Sequence, residues 1–153
     1  MTEQKITRDL VLVRHGDKLI TGEPDPELSF SGSKEAEALN WKTDCVFISP
    51  LKRALETYTL SSIMTREVCV HSCFRERMDG ISTYFPLEPR SPLPEPEDAF
   101  KRRVSDAAQM LHQHSGRHFT VISHEDFLFA LQIQLGVDSP KKLDTGEAMW
   151  MKF

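Results

Sequence analysis

Asp9-Leu-Val-Leu-Val-Arg-His-Gly16 is an apolar run of strand type that ends on two basic side chains and a glycine. A continuous apolar run bounded by turns reads as a strand covered on both faces. The same form returns at Cys45-Val-Phe-Ile-Ser49 and His118-Phe-Thr-Val-Ile-Ser123, more weakly at Val68-Cys-Val-His71, and in Ala148-Met-Trp-Met-Lys-Phe153. Helical spacing fills the gaps. Ser31 is placed to cap a helix through Ala36, Ala38 and Leu39. Ser49-Pro50 offers an N-cap and an N1 proline to a helix with Leu51, Ala54, Leu55 and Tyr58 on one face. Pro96 opens a third helix, with Phe100, Val104, Ala107, Ala108 and Leu111 at helical spacing. A fourth carries Phe127, Leu128, Leu131 and Leu135 and stops near Gly136. Strands that alternate with helices predict an α/β domain with a largely parallel sheet.

The chain has 153 residues, which suits one domain over 1–153. Hydrophobic residues make up 39% and charged residues 27%, which is globular composition and argues against disorder. Nineteen Lys and Arg against 23 Asp and Glu give a net charge of −4, so no basic excess recommends a nucleic-acid or membrane partner. No apolar run approaches the roughly 18 residues of a membrane helix. The polar start, Met1-Thr2-Glu3-Gln4-Lys5, lacks the apolar stretch of a signal peptide. Cys45, Cys69 and Cys73 cannot all pair and form no zinc pattern, so free thiols and a reducing, cytoplasmic setting are expected. Pro86, Pro89, Pro92, Pro94 and Pro96 mark the segment from 86 to 96 as a surface loop within the domain.

In open α/β sheets, ligands sit beyond the carboxyl ends of the strands. The first strand run ends in Arg14-His15-Gly16, the second in Ser49-Pro-Leu-Lys-Arg53. Phe74-Arg-Glu-Arg77 follows the third, and the fourth ends in Ser123-His124. Two histidines, several arginines and a carboxylate therefore converge on one sheet edge. Arginines present forked donors that match a phosphoryl group. Arg53 falls in a first helical turn, where free N–H groups also favour an anion. A neutral histidine is a nucleophile toward phosphorus, and nearby arginines favour the neutral ring. A carboxyl with a raised pKa can protonate a leaving alcohol. Side chains supply the positive charge, so no metal or other cofactor is required.

These segments resemble the histidine phosphatase superfamily, the phosphoglycerate-mutase-like proteins. Val11-Leu-Val-Arg-His-Gly16 is similar to its Arg-His-Gly signature. Leu28-Ser-Phe-Ser-Gly32 with Glu35-Ala36 is similar to the segment that follows, and Ser49-Pro-Leu-Lys-Arg-Ala54 with Thr57 resembles its Ser-Pro-Leu-x-Arg-Ala-x-x-Thr block. Phe74-Arg-Glu-Arg77 with Gly80 resembles its Leu-x-Glu-x-x-x-Gly block, and Val121-Ile-Ser-His124 its Val-x-Ser-His block. Asp144-Thr-Gly146 is similar to the turn before its last strand. Blocks in order at strand ends are a specific signal. The resemblance implies a three-layer α/β/α sandwich and a phosphatase acting through a phosphohistidine on His15. It implies that Arg14, Arg53 and His124 hold the phosphoryl oxygens and that Glu76 is the proton donor. It also implies that Gly16 lets the backbone come close to the site. The substrate expected is a phosphorylated small molecule or a phosphoprotein. The competing expectation is a weak or inactive phosphate-binding module on the same fold.

Several positions depart from the family pattern. Asp17 replaces the usual Glu or Gln and reads as a loop residue or a shortened contact behind the site. Lys18 and Thr21 stand where mutases place Ser and Asn, which disfavours a mutase. Glu125-Asp126 either sits at a helix N-terminus, where acids are favourable, or forms a pocket mouth suited to a cationic substrate. Arg75 and Arg77 flank Glu76, and pairing with either would lower its pKa. Glu88, Glu95 and Glu97 are then the alternative proton donors. His112, His114 and His118 read as a solvated face, not a metal site. Lys101-Arg102-Arg103 reads as an exposed basic run.

Overall fold

The computed structural model of the protein describes residues 7–23, 25–78 and 95–153. Its elements alternate from the start: β1 (Asp9–Arg14), α1 (Phe30–Glu37), β2 (Lys42–Ile48), α2 (Lys52–Leu60) and β3 (Met64–Val70). A 3₁₀ turn at Ser72–Phe74 precedes α3 (Glu97–Gln113), β4 (His118–Ser123), α4 (Glu125–Gln134) and β5 (Ala148–Lys152). The strands form one sheet in the order β3-β2-β4-β1-β5. All neighbours pair in parallel except β5, which runs antiparallel to β1.

Side-chain alternation along each strand gives the sheet two apolar faces. Leu10, Leu12, Cys45, Phe47, Phe119 and Val121 share one core with Phe100 and Leu111 of α3 and Phe127 and Leu131 of α4. Val11, Val13, Val46, Ile48 and Ile122 point the other way, onto Leu39 and Ala54. Helices α1 and α2 pack together on that side, and α3 packs with α4 on the first. The result is the expected α/β/α sandwich. Cover on both faces holds only for β1, β2 and β4. The edge strands are more open, with Val70 at 49% and Trp150 at 62% exposure.

Two helix starts differ from the sequence reading. Helix α1 is capped by Ser29, whose Oγ accepts the Gly32 N–H at 3.1 Å, and not by Ser31. Helix α2 begins at Lys52, with Leu51 at the N-cap and no cap from its own side chain. Ser49 is engaged elsewhere: its Oγ lies 2.8 Å from His124 Nε2. The Lys52 N–H is instead accepted by Asp25 Oδ1 at 2.9 Å, from the loop before α1.

Cys45 and Cys73 are buried free thiols and Cys69 is half-buried. The three histidines have separate partners. His114 Nε2 meets Glu67 at 2.7 Å, His118 Nδ1 meets Asp9 at 3.0 Å, and the His112 ring lies against Phe153. Arg103 is not part of an exposed run; its side chain is 11% exposed. The proline-rich stretch up to Pro94 lies outside the described residues, as do Gly80 and Glu88. No helix among the described residues is long and apolar enough to cross a membrane.

Gly16 and Gly32 are pressed together. A Cβ on Gly16 would lie 2.5 Å from the Gly32 carbonyl oxygen, and one on Gly32 would lie 2.0 Å from that of Asp17. The close approach that Gly16 permits is thus to helix α1. Asp17 is part of the same joint, because Ser29 Oγ donates to its Oδ2 at 2.8 Å. Replacing a helical glycine by alanine normally gains up to about 1 kcal/mol. Gly32→Ala reverses that sign, because backbone must move, and costs about 1–3 kcal/mol. A fall in the urea unfolding midpoint checks this; an unchanged or higher midpoint refutes it.

Candidate active site

The three central strands end level. Val13 and Ile48 both pair with Ile122, and the ladder continues past the strands. The His15 N–H donates to Ser123 O at 3.0 Å and the Ser49 N–H to Ile122 O at 3.1 Å. Arg14-His15, Ser49 and Ser123-His124 are thereby set side by side. Helix α1 follows β1 on one face of the sheet, while α4 follows β4 on the other. The crevice between β1 and β4 is the position where such sheets hold ligands.

His15 is buried, with 5% exposure. Its Nδ1 lies 2.7 Å from Gly16 O, which can only accept. That places the ring proton on Nδ1 and leaves the Nε2 lone pair facing Arg53, whose Nε–H donates to it at 3.2 Å. Burial lowers the pKa of His15 to about 3, helped by the charges of Arg53, Arg14 and Lys18 and opposed by the Gly16 carbonyl. A buried, neutral ring with a fixed tautomer and its lone pair on Nε2 has the chemistry that a nucleophile needs.

His124 is fully buried, and its ring centroid is 5.1 Å from that of His15. Ser49 Oγ accepts the Leu51 N–H at 3.3 Å and donates to His124 Nε2. This assignment puts the ring proton on Nδ1, which is buried and has no hydrogen-bond partner among the described residues. Burial holds His124 well below the usual histidine pKa, with His15 and Arg53 adding to the effect. A buried N–H left unpaired beside the His15 ring is able to donate to a ligand oxygen.

The cations have distinct supports. Arg53 is buried in the first turn of α2 and lies in the fields of Asp25 and Glu76. Arg14 Nη1 donates to Glu125 Oε2 at 2.7 Å and to Leu143 O at 2.9 Å, and its buried Nε has no partner among the described residues. In the sequence Lys18 stands out only as a departure from the mutase pattern. Its pKa is lowered by partial burial and by the charges of Arg53 and Arg14, so it adds to the positive field at His15. Thr57 Oγ1 accepts the Gly16 N–H at 3.0 Å and donates to Arg53 O at 2.6 Å, which joins the β1 loop to α2.

Glu76 reaches the crevice from the irregular segment after β3. Its carboxylate accepts backbone N–H groups from Arg77 at 2.9 Å, Asp126 at 3.2 Å and Phe127 at 2.9 Å. It therefore caps α4, which His124 does not do with its own side chain. Burial raises its pKa, and the three N–H donors only partly offset this. The guanidinium of Arg77 goes instead to Glu97 and over the Phe100 ring. Of the alternative donors, Glu95 is tied to Arg103, whose hydrogen bonds and charge outweigh the upward effect of burial and leave its pKa low. Asp126 is exposed in the first turn of α4, as expected of an acid there, whereas Glu125 turns back onto Arg14.

Cys45, Glu67 and His114 bring ligand atoms within 4.8 Å of one another, away from these strand ends. One observation counts against a metal there: His114 Nδ1 accepts the Gly116 N–H at 2.9 Å. An imidazole bound to metal through Nε2 needs its proton on Nδ1.

Arg14, His15, Arg53, Glu76 and His124 are thus gathered at one crevice, as the strand-end reading expected. Ser49, Thr57, Asp25, Lys18 and Arg103 contribute without having been singled out for it by the sequence. The signal for Ser49 is present in the Ser-Pro-Leu-Lys-Arg run, but there the serine reads as a helix cap.

The family model of the histidine phosphatase superfamily (branch 1) matches residues 10–145. Among solved structures, a candidate alpha-ribazole-5'-P phosphatase from Escherichia coli superposes with a TM-score of 0.73 at 21% identity, over 95% of this chain and 90% of that one. A phosphoglycerate mutase from Thermus thermophilus superposes with a TM-score of 0.66 at 23% identity, over 93% of this chain and 91% of that one. At these identities the likeness is one of fold. No curated protein matches the chain with comparable significance.

Because folding lowers the His15 pKa from 6.5 to about 3, the unfolded chain takes up that proton first. The contribution to stability is complete above pH 6.5 and is lost as the pH falls toward 3. Urea unfolding is expected to show a smaller loss between about pH 7 and pH 5 for His15→Asn than for wild type. A ring-resonance titration gives the direct reading. A His15 midpoint at an ordinary histidine pKa sinks the account.

Proposed function

The chain belongs to the histidine phosphatase superfamily, and on that premise we propose that the protein is a phosphatase that hydrolyses phosphomonoesters through His15. The observation that carries this reading is the neutral His15, with its proton held on Nδ1 and its Nε2 lone pair among Arg14, Arg53 and Lys18.

In the first step His15 Nε2 attacks phosphorus and the P–O bond to the leaving group breaks. The phosphoryl oxygens take over the Arg53 Nε–H that rests on Nε2, which frees the lone pair. Arg14, through its unpartnered Nε, and His124, through Nδ1–H, complete the donors around those oxygens. Glu76, with its raised pKa, gives its proton to the leaving oxygen. In the second step water attacks phosphorus, the P–N bond breaks and the Glu76 carboxylate takes the proton from water. Phosphate leaves and Glu76 is again protonated. The substrate is a phosphorylated small molecule or a phosphorylated protein side chain.

One contact favours a second reading. Glu125 already satisfies part of Arg14, as a ligand would, and this suits a module that holds phosphate weakly without turning it over. Both readings meet in one experiment. Hydrolysis of 4-nitrophenyl phosphate at about pH 6 is expected to persist in chelator and to fall at least about a hundredfold in His15→Ala. Quenched wild-type protein is expected to carry acid-labile phosphate on His15. Equal rates in both proteins remove His15 from the chemistry. Phosphate binding without turnover in wild type selects the second reading.

A further inference from the structure

We infer that Arg103, together with Glu95, is the positioning pair that fixes Glu76 for proton transfer to the leaving group. The inference rests on the reading of Glu76 as the acid. The segment that carries Glu76 is irregular: a 3₁₀ turn at Ser72–Phe74 is followed by residues in neither helix nor strand. Such a segment has no ladder of its own to hold a side chain in place.

Arg103 reaches this segment from α3 and spends every donor on it or on Glu95. Its Nη1 donates to Cys73 O at 3.0 Å and Arg75 O at 2.7 Å. Its Nη2 donates to Glu76 O at 3.1 Å and Glu95 Oε1 at 2.8 Å, and its Nε to Glu95 Oε2 at 3.0 Å. The guanidinium lies over the rings of Phe100 and Phe127. Glu95 extends the clamp beyond Glu76: its Oε1 accepts the Met78 N–H at 3.3 Å, and its own N–H donates to Met78 O at 2.7 Å. The backbone is therefore gripped on both sides of Glu76. From the sheet, Ser123 Oγ also donates to Phe74 O.

The pair is almost wholly removed from water, with side chains 11% and 6% exposed. Apolar residues often replace a buried ion pair without loss of stability. What apolar residues cannot do is aim donors at three carbonyls around one carboxylic acid. Misplacing a reacting group by about 1 Å can cost a hundredfold in rate. Lysine keeps the charge but lacks the planar fork.

The test reads the leaving-group dependence of kcat/KM over a series of aryl phosphates, from 4-nitrophenyl to 4-methoxyphenyl. A well-placed acid flattens this dependence, because poor leaving groups need the proton and good ones do not. Glu76→Gln is expected to steepen it. Arg103→Lys and Glu95→Gln are expected to steepen it in the same sense, with about tenfold more loss on the methoxyphenyl ester than on the nitrophenyl ester. Arg103→Lys combined with Glu76→Gln is expected to be no steeper than Glu76→Gln alone. If Arg103→Lys and Glu95→Gln slow all esters alike while Glu76→Gln steepens the dependence, the pair is only structural and the inference falls, with the acid intact. If Glu76→Gln leaves the slope at its wild-type value, or wild type cleaves none of the series, the reading of Glu76 itself fails. Loss of the fold in both clamp variants also assigns the pair to structure and overturns the inference.

Discussion

The backbone ladder that joins β1, β4 and β2 is the constraint on which everything else rests. Its register brings Val13, Ile122 and Ile48 to one level, so the residues that follow emerge together. Two further bonds, from His15 to Ser123 and from Ser49 to Ile122, carry the ladder into the loops. These backbone groups are buried and must be paired. A slip of one residue on any central strand would exchange its two core faces as well as displace the site. The same interaction thus secures the core and the alignment of His15 with His124.

Electrostatics at the crevice follow from that alignment. Both α2 and α4 begin there, and neither takes a cap from its own side chain. Their first N–H groups are met by carboxylates from elsewhere in the chain, Asp25 for α2 and Glu76 for α4. Each carboxylate thereby couples a helix to the cations around His15. Glu76 is subject to two opposed effects, since N–H donors favour its charged form and burial favours its neutral one. Burial prevails, and its pKa is raised.

Glu125 does more than occupy the first turn of α4. An acid in the first turn of a helix needs no explanation beyond the dipole. Here the side chain turns inward and grips Arg14, while Lys142 stands 4.0 Å from its other oxygen. Glu125 and Leu143 anchor the Arg14 guanidinium through Nη1, and its buried Nε has no partner among the described residues. Glu125 therefore orients Arg14 and also offsets part of its charge.

The apolar runs at Asp9–Arg14 and His118–Ser123 predicted their strands to the residue, because a central parallel strand must be apolar on both faces. The weaker run at Val68 predicted only the end of β3, since an edge strand needs no such pattern. Arg14, His15, Arg53, Glu76 and His124 were legible as the residues following strand ends, and their order along the chain carried the family likeness. Only the tertiary structure decided which partners hold them. Ser49 left its own helix for His124, Arg103 left an apparent surface run for the carbonyls around Glu76, and Glu125 turned back onto Arg14. Local sequence sets backbone preference and the alternation of apolar residues. Hydrogen-bond partners far apart in the chain are chosen by which buried polar groups remain unpaired once the sheet and helices have packed.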